Sequence, residues 1–176
     1  RWLHSIKQQV PKSYYKIKIG TGRVACQGKD ISLISYSYGI FECLKASKIL
    51  KEKFNISAEV IDLRTIRPLD KNIILKSVKK TKRILAVDNS WKSFGVSAEI
   101  ISIITDNLKT KDIKKIARIG NVEVPSPSTR SLAKAFYCNY ITIVNKVLKM
   151  LNNKKKYIKK NNLYDDVPDK SFKGPF

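Results

Sequence analysis

The chain has 176 residues, of which 43% are hydrophobic, so it is long enough to bury a core and too apolar for a disordered chain. Its apolar runs are short and interrupted by polar residues, which argues against a membrane span. The three cysteines lie far apart and never in a C-x-x-C spacing. This spacing indicates neither a zinc site nor a disulfide framework, and we expect reduced, mostly buried thiols.

The formal net charge of +22 is the strongest compositional signal, and it could indicate a polyanionic partner. Of the 36 basic residues, however, 29 are Lys and 7 are Arg, whereas bidentate readout of phosphates and bases favours Arg. Lys, Ile and Asn are abundant together, as in a coding sequence rich in A and T. We therefore interpret the charge as mainly compositional and do not expect nucleic acid as a partner. The lysine cluster at 149–160 is typical of a solvated tail.

The first 22 residues are irregular, with Pro11, Gly20 and Gly22 as breakers of regular structure. The chain begins with Arg1 and has no signal peptide, which suggests a fragment or a processed chain. His4, the only histidine, has no catalytic partner marked out by the sequence, so we expect a structural or surface role. The two glycines precede a strand, whereas a dinucleotide fingerprint follows one and opens a helix.

The next part of the chain alternates strand and helix twice. Residues 30–36 form a short apolar run typical of a buried strand, and apolar residues from Ile40 onward recur at helical spacing with lysines between them. Residues 57–63 predict a second strand, which Pro68 prevents from continuing because proline lacks an N–H. Asp70 then stands at the N-cap position before the apolar run of the following helix.

The second half of the chain continues this alternation and ends in a polar tail from Asn152. Its predicted elements are a strand at 83–88, a loop at 89–94, a helix over 97–108, a strand at 115–119, a loop at 122–130 with two prolines, and a helix over 140–151. Alternation of strands and helices predicts parallel strands joined by helical crossovers. The predicted fold class is therefore α/β, a three-layer α/β/α sandwich.

Three aspartates lie near the ends of predicted strands, where open α/β sheets usually place ligand sites. Asp62, Asp70 and Asp88 are candidates for metal binding or acid–base chemistry, but no His, Cys or clustered carboxylate accompanies them. We favour a structural role, in which Asp62 and Asp70 pair with Arg64 and Arg67 or cap helix ends.

Two loops contain further candidate residues. Ser126, Ser128 and Thr129 lack the elbow motif and the positioned base of a nucleophilic serine, so we interpret them as a plain loop. Trp91, in the loop after the third predicted strand, is either an anchor for a partner subunit or part of the core. The sequence contains no complete catalytic apparatus.

Four stretches in order carry a resemblance to a known family: GKDISLISY at 28–36, EVIDLRTIRPLD at 59–70, AVDNSWKSFGVSAEI at 86–100 and VPSPSTRSLAKAFY at 124–137. They closely resemble the C-terminal domain of the beta subunit of 2-oxo-acid dehydrogenases of the pyruvate type, in the transketolase C-terminal superfamily. The leader is similar to the end of the preceding domain, and the ending DVPDKSFKGPF is similar to the C-terminus of some members.

The resemblance implies a mostly parallel sheet of about five strands with helices on both faces. It assigns residues 1–22 to the end of a pyrimidine-binding domain and linker, 23–151 to the transketolase C-terminal-like domain, and 152–176 to a basic, extended tail. The full enzyme of this family decarboxylates a 2-oxo acid with thiamine diphosphate and magnesium and passes the acyl group to a lipoyl arm. These cofactors are expected outside this chain, so the resemblance implies no catalytic, cofactor-binding or metal-binding residue here.

The resemblance also implies assembly as the role of this domain. The expected partners are an alpha subunit, a second beta subunit and the lipoyl acyltransferase core, and the expected contacts are Arg64, Arg67, Trp91 and the carboxylate of Phe176. The acyltransferase's docking modules are commonly basic in this family, so a +22 domain departs from the usual complementarity. The expected compartment is cytoplasmic, with the mitochondrial matrix or a plastid as alternatives. Transketolase or deoxyxylulose-phosphate synthase, and a stand-alone basic polyanion-binding module, are the alternative functions.

Overall fold

The structure is a computed structural model that describes residues 9–129, 132, 136–152 and 157–158. Within these residues it contains five β-strands and four α-helices. In chain order they are β1 Arg23–Cys26, β2 Ile31–Ser35, α1 Gly39–Phe54, β3 Ala58–Asp62, α2 Lys71–Thr81, β4 Arg83–Trp91, α3 Val96–Asn107, β5 Lys115–Asn121 and α4 Tyr140–Met150. None of the helices in the described residues is long and apolar enough to cross a bilayer.

The five strands form one sheet in the order β1-β3-β2-β4-β5. The contacts of β2 with β3, β2 with β4 and β4 with β5 are parallel, so the predicted crossovers are confirmed. Strand β1 is antiparallel to β3 at one edge of the sheet. The sequence patterns identified the four parallel strands but not β1, because its four residues have no buried apolar run and are exposed or half-buried.

Each face of the sheet is covered by two helices, which confirms the three-layer sandwich. Helices α1 and α4 pack on one face around Leu33, Leu50 and Val144, and α2 and α3 pack on the other around Ile61 and Ile104 in a separate cluster. The side chains of β2 and β3 alternate between these clusters because successive residues of a strand point to opposite faces. Both strands are therefore buried along their whole length.

Two strands extend beyond their predicted ends. Strand β4 reaches Trp91, where the sequence predicted a loop from Asn89, and β5 reaches Asn121 instead of ending at Ile119. The additional pairing follows an irregularity between Val87 and Trp91, after which Trp91 is opposite Asn121. The side-chain amide of Asn121 also donates to the carbonyl of Asn89 at 2.7 Å. A break in register is not visible in hydrophobic periodicity, so the sequence pattern predicted ends for both strands that are too early.

A buried polar network joins α2 to strands β2 and β3. The hydroxyl of Ser77 donates to Oε2 of Glu59 at 2.5 Å and contacts the hydroxyl of Ser32 at 2.6 Å. Ser32 also contacts the hydroxyl of Thr81 at 2.7 Å, and Lys80 forms a salt bridge with Glu59. Glu59 is 2% exposed, so its charge requires these partners. The network therefore fixes the position of α2 on the sheet.

Replacing Ser77 by Ala is expected to destabilise the fold by about 1–3 kcal/mol, because it leaves buried oxygens of Glu59 and Ser32 with one partner fewer. Urea denaturation measures the change. The matched control is Lys48→Ala, which removes an exposed pair with Glu52 at 4.0 Å and is expected to cost about 0.5 kcal/mol or less. Equal losses in the two variants would contradict a structural role for the network.

Candidate functional site

The parallel strands β2 to β5 all end at the same edge of the sheet, the carboxyl edge, where α/β proteins usually bind their ligands. Two loops dominate this edge. The first, which we call the 62–70 loop, follows β3, and the second, the 89–97 loop, includes the end of β4 and leads into α3. Of the three aspartates predicted from the sequence to lie near strand ends, Asp62 and Asp70 belong to the 62–70 loop, and Asp88 lies in β4 directly before the 89–97 loop.

Asp62 holds the chain that leads into the domain. Its Oδ2 forms a salt bridge with Nε of Arg23 at 3.0 Å, and its Oδ1 accepts from the backbone amide of Arg64 at 3.1 Å. The prediction that Asp62 pairs with the side chain of Arg64 or Arg67 is therefore wrong. Both of these arginines are exposed, and the true partner lies 39 residues upstream on β1, which only the sheet topology brings close.

Asp70 has two structural functions at once. Its Oδ1 accepts from the amide of Ile73 at 3.1 Å, which caps α2 and confirms the predicted N-cap. Its Oδ2 accepts from the amide of Gly22 at 2.9 Å, and the hydroxyl of Thr65 accepts from the amide of Gly20 at 3.1 Å. The 62–70 loop thus binds residues 20–23 through three of its side chains.

Gly20 and Gly22 are required by this close approach. Gly20 has φ +78°, and a Cβ there would lie 2.8 Å from Cγ of Pro68. A Cβ on Gly22 would lie 3.0 Å from the carbonyl oxygen of Asp62. The G-x-G sequence therefore serves chain contact with the 62–70 loop, in agreement with the view that it is no dinucleotide fingerprint.

Asp88 holds the 89–97 loop to the end of the sheet, as Asp62 and Asp70 hold residues 20–23 to the 62–70 loop. It accepts hydrogen bonds from the hydroxyl of Tyr36 at 2.7 Å and from the amides of Ser90 and Ser97, both at 2.9 Å. Burial alone would raise the pKa of Asp88, but these hydrogen bonds outweigh it, so its pKa lies below the usual value. Burial, followed by the hydrogen bond to Asp88, raises the pKa of Tyr36 to about 12.

The anchored loop presents apolar side chains to solvent. Trp91 is 55% exposed and Phe94 fully exposed, and they are joined by the exposed Val122 and Val124 beyond β5. We call these four residues the edge patch. The alternative that Trp91 belongs to the core is therefore wrong. Phe94 has φ +57°, an unusual conformation for a bulky residue, while a Cβ on Gly95 would lie 2.5 Å from the carbonyl oxygen of Trp91.

Of the other residues predicted to contact a partner, the structure describes Arg64 and Arg67 but not Phe176. Arg64 and Arg67 lie exposed on the 62–70 loop, at the same edge of the sheet as Trp91. Their role as contacts, like that of Trp91, stays a prediction. Phe176 and His4 lie outside the described residues, as do the lysines at 154–156 and 159–160.

The carboxylates of the three aspartates at the carboxyl edge are engaged by the fold itself. In the described part of the chain, no group of three or more His, Cys, Asp or Glu residues could hold a metal ion. The carboxylates of Asp62, Asp70 and Asp88 already accept hydrogen bonds or a salt bridge from the chain itself. Such carboxylates offer little to a cation or to a reacting proton, so we derive no chemical step from them.

The thiols and loop hydroxyls of the described residues also lack the features of a reactive nucleophile. The three cysteines are free, as predicted, and burial raises the pKa of both Cys43 and Cys138, which disfavours reactive thiolates. Residues 122–129 contain neither helix nor strand, in agreement with the predicted plain loop around Ser126 and Ser128. The arrangement as a whole is that of a scaffold with an exposed apolar edge.

Comparison with protein families identifies the fold. The family model described as "Transketolase, C-terminal domain" matches residues 20–141. The chain belongs to this family. The match begins at Gly20, the first residue that the 62–70 loop binds, and includes all five strands. In this transketolase C-terminal domain, β1 and the residues that attach it are thus part of the family's own architecture.

Curated relatives of this transketolase C-terminal domain are named as dehydrogenase subunits. The chain is 37% identical over 139 residues to "Pyruvate dehydrogenase E1 component subunit beta, mitochondrial" of Saccharomyces cerevisiae, covering 78% of this chain and 37% of that protein. It is also 43% identical over 102 residues to "Pyruvate dehydrogenase E1 component subunit beta" of Bacillus subtilis. This match covers 58% of this chain and 31% of that protein. The chain therefore spans only about a third of the length of each of these two relatives.

The solved structures agree on the fold. The "Split gene transketolase, inactive beta4 tetramer" matches with a TM-score of 0.70 at 20% identity, covering 81% of this chain and 47% of that one. At this identity the match shows the fold alone. It supports the three-layer architecture independently of the sequence relatives.

Asp70 gives a prediction that separates its two functions. Asp70→Ala is expected to lose both the cap and the contact with Gly22, at a cost of about 1–2 kcal/mol. Asp70→Asn keeps one carbonyl oxygen for the amide of Ile73 but loses the acceptor for Gly22. Hydrogen exchange is therefore expected to accelerate at Gly22 in both variants and at Ile73 only in the alanine variant. Unchanged protection of Gly22 in Asp70→Asn would contradict the contact.

Asp88→Asn is expected to cost about 2 kcal/mol near neutral pH, because an amide cannot accept every hydrogen bond that the carboxylate accepts. Since folding lowers the pKa of Asp88, its contribution is present above the unfolded pKa of about 3.9 and is lost as the pH falls through the folded value. Urea denaturation from about pH 7 to about pH 3 should show the difference in the free energy of unfolding between the two proteins narrow below about pH 4.

The control for this experiment is Asp106→Asn, which changes an exposed aspartate whose side chain contacts only Ser102, at 3.4 Å, in the described part of the chain. We expect it to alter the free energy of unfolding by about 0.5 kcal/mol or less at either pH. A difference between wild type and Asp88→Asn that stays constant across the pH range would show that the charge of Asp88 is not what stabilises the loop.

Proposed function

We propose that this chain is the C-terminal assembly and docking domain of the beta subunit of a thiamine-diphosphate-dependent 2-oxo-acid dehydrogenase. The whole enzyme oxidatively decarboxylates pyruvate or a related 2-oxo acid and transfers the acyl group to a lipoyl group. Support comes from the relatives named as pyruvate dehydrogenase subunits and from one in Chaetomium thermophilum named "2-oxoisovalerate dehydrogenase subunit beta, mitochondrial", 34% identical over 122 residues. The transketolase alternative is supported by the description of the family model and by likeness of fold, but the curated relatives reported above are dehydrogenase subunits.

The observation that carries this proposal is the contrast between engaged carboxylates and exposed aromatic residues at one edge of the sheet. Asp62, Asp70 and Asp88 stabilise the two loops, while Trp91 and Phe94 project into solvent. Large aromatic side chains on a rigid support are the usual energetic centres of protein interfaces. This edge therefore supports docking better than it supports catalysis.

The proposed contacts are Arg64, Arg67, Trp91 and Phe94, with Phe176 as a further proposal outside the described residues. The proposed partners are an alpha subunit, a second beta subunit and the lipoyl acyltransferase core. A structural relative described as a "beta4 tetramer" is an oligomer, which supports assembly in general. Exposed arginines suit such contacts because a guanidinium forms two parallel hydrogen bonds with one carboxylate.

The cofactors and the location follow from the same proposal. Thiamine diphosphate and magnesium belong to the whole enzyme and are bound by polypeptide other than the described residues, whose carboxylates are engaged by the fold. In this proposal residues 1–22 are the end of a preceding pyrimidine-binding domain and the linker from it. The compartment is the cytoplasm or, as the names of several relatives state for them, a mitochondrion. Separated from the rest of the enzyme, this domain has no decarboxylase activity.

The test is assembly of the full-length beta subunit, co-expressed with an alpha subunit encoded by the same genome. Trp91→Ala with Phe94→Ala is expected to weaken assembly at least about tenfold, because truncating such anchors typically costs about 2 kcal/mol or more. Sedimentation velocity over a dilution series measures the change. The thermal unfolding temperature of the isolated chain should stay unchanged, since both side chains are largely exposed.

Tyr157→Ala is the matched control, because Tyr157 is an aromatic residue that is 65% exposed and lies next to Ile158, which packs on the α1 and α4 side of the sheet. We expect assembly of this variant to equal that of the wild type. Normal assembly of the Trp91 and Phe94 double variant would show that the edge patch is not the interface.

A further inference from the structure

Acidic side chains at the carboxyl edge are mostly engaged by the fold. Asp62 forms a salt bridge, Asp70 caps α2, and Asp88 is 1% exposed and accepts three hydrogen bonds. In the described part of this edge, exposed negative charge comes from Glu99, in the first turn of α3, and from Glu123. Glu123 in turn accepts a hydrogen bond from a serine of the 89–97 loop.

Basic side chains at the same edge are exposed and free of salt bridges. Arg64, Arg67, Lys71 and Lys92 all lie on the surface of the two loops or the first turn of α2. The salt bridges among the described residues are Arg23–Asp62, Lys45–Glu42, Lys48–Glu52 and Lys80–Glu59, so none of these four cations takes part in one. Four unengaged cations therefore outnumber the two exposed carboxylates.

This combination of charge and apolar surface distinguishes the edge from other basic faces. The outer face of α1 also has exposed lysines, but within this helix Lys45 and Lys48 have acidic partners. No large hydrophobic side chain of α1 is exposed, whereas the carboxyl edge exposes Ile66 on the 62–70 loop in addition to the edge patch. The edge can therefore offer a ligand both buried apolar contact and charge.

From this we infer that the carboxyl edge binds an acidic amphipathic segment of a partner protein, whose apolar residues cover the edge patch and whose carboxylates meet Arg64, Arg67 and Lys92. The inference rests on the proposed assembly function and adds the chemistry of the partner. Arginine and carboxylate match in geometry, and opposite charges across an interface speed association and fix orientation. A basic segment would meet like charge at this edge.

A polypeptide fits this surface better than a nucleic acid does. Bases could stack on Trp91 and Phe94, but they would leave the aliphatic side chains of Val122, Val124 and Ile66 without a partner, because stacking needs aromatic rings. Aliphatic side chains of a peptide would bury against all of them. The cations of the edge are also few and belong to the same two loops, or the turn after one of them, as Ile66, Trp91 and Phe94, whereas nonspecific nucleic-acid binding uses an extended positive groove.

The experiment measures binding of labelled synthetic peptides to the chain by fluorescence anisotropy at low and moderate salt. The peptides have about 20 residues, as many as one side of a standard interface supplies. One combines Glu with Leu and Phe, a second replaces every Glu by Lys, and a third keeps Glu but replaces Leu and Phe by Ser. A single-stranded DNA oligonucleotide is the fourth probe. We expect the first peptide to bind at least about tenfold more tightly than any other probe.

Charge reversal at the edge tests where the preference comes from. The triple variant Arg64→Glu, Arg67→Glu and Lys92→Glu is expected to lose its affinity for the acidic peptide and to bind the lysine peptide more tightly. Its matched control carries the same change of charge on exposed lysines of α1 and α2 that form no salt bridge among the described residues: Lys51→Glu, Lys53→Glu and Lys76→Glu. We expect this control to bind the acidic peptide as the wild type does. If charge reversal disturbs folding, the variant Arg64→Gln, Arg67→Gln and Lys92→Gln replaces it, and we expect this variant to bind the acidic peptide more weakly than the wild type does.

Each alternative outcome overturns the inference in a recognisable way. Equal or tighter binding of the lysine peptide, or no binding of the acidic peptide, contradicts it directly. Equal losses in the two triple variants would mean that only net charge acts, and tighter binding of DNA would make this a nucleic-acid surface. If the aromatic substitutions abolish assembly but charge reversal does not, the proposed function stands and the inference fails. If neither set affects assembly, the proposed function itself fails.

Discussion

Two carboxylates, those of Asp62 and Asp70, attach the chain that leads into the domain to the carboxyl edge of the sheet. Without these contacts, β1 would have neither its salt bridge to Asp62 nor the hydrogen bond that holds Gly22. The same contacts determine the form of the 62–70 loop, in which Thr65 faces inward to Gly20 and the arginines face outward. An electrostatic requirement of the fold thus decides which side chains of this loop are available to other molecules.

The 89–97 loop follows the same logic with different residues. Asp88 is held by donors from three directions, and its ionised form is the stable one because each donor favours negative charge. A loop attached in this way can expose Trp91 and Phe94 without collapsing onto the core. In this chain, the edge where α/β sheets usually bind ligands therefore has its three aspartates engaged and large hydrophobic residues exposed, which is the reverse of what catalysis by these carboxylates needs.

Most of the parallel sheet and its helices could be predicted because they depend on local periodicity. The strand at 30–36, the capped helix after Asp70 and the apolar face of the last helix each carry a pattern that burial imposes directly. The salt bridge between Arg23 and Asp62 depends on two strands meeting antiparallel after 39 residues, and no local pattern encodes that meeting. The extension of β4 to Trp91 was missed because it follows an irregular register.

The excess of lysine is a matter of composition, but its distribution in space is a matter of folding. Glu42, Glu59 and Asp88 are each no more than 3% exposed, because the structure uses their charge to satisfy buried donors. Glu42 and Glu59 also pair with Lys45 and Lys80, whereas Asp88 accepts only neutral donors among the described residues and balances no cation. At the carboxyl edge, where the fold engages Asp62, Asp70 and Asp88, the proposed acidic partner would supply negative charge to Arg64, Arg67 and Lys92.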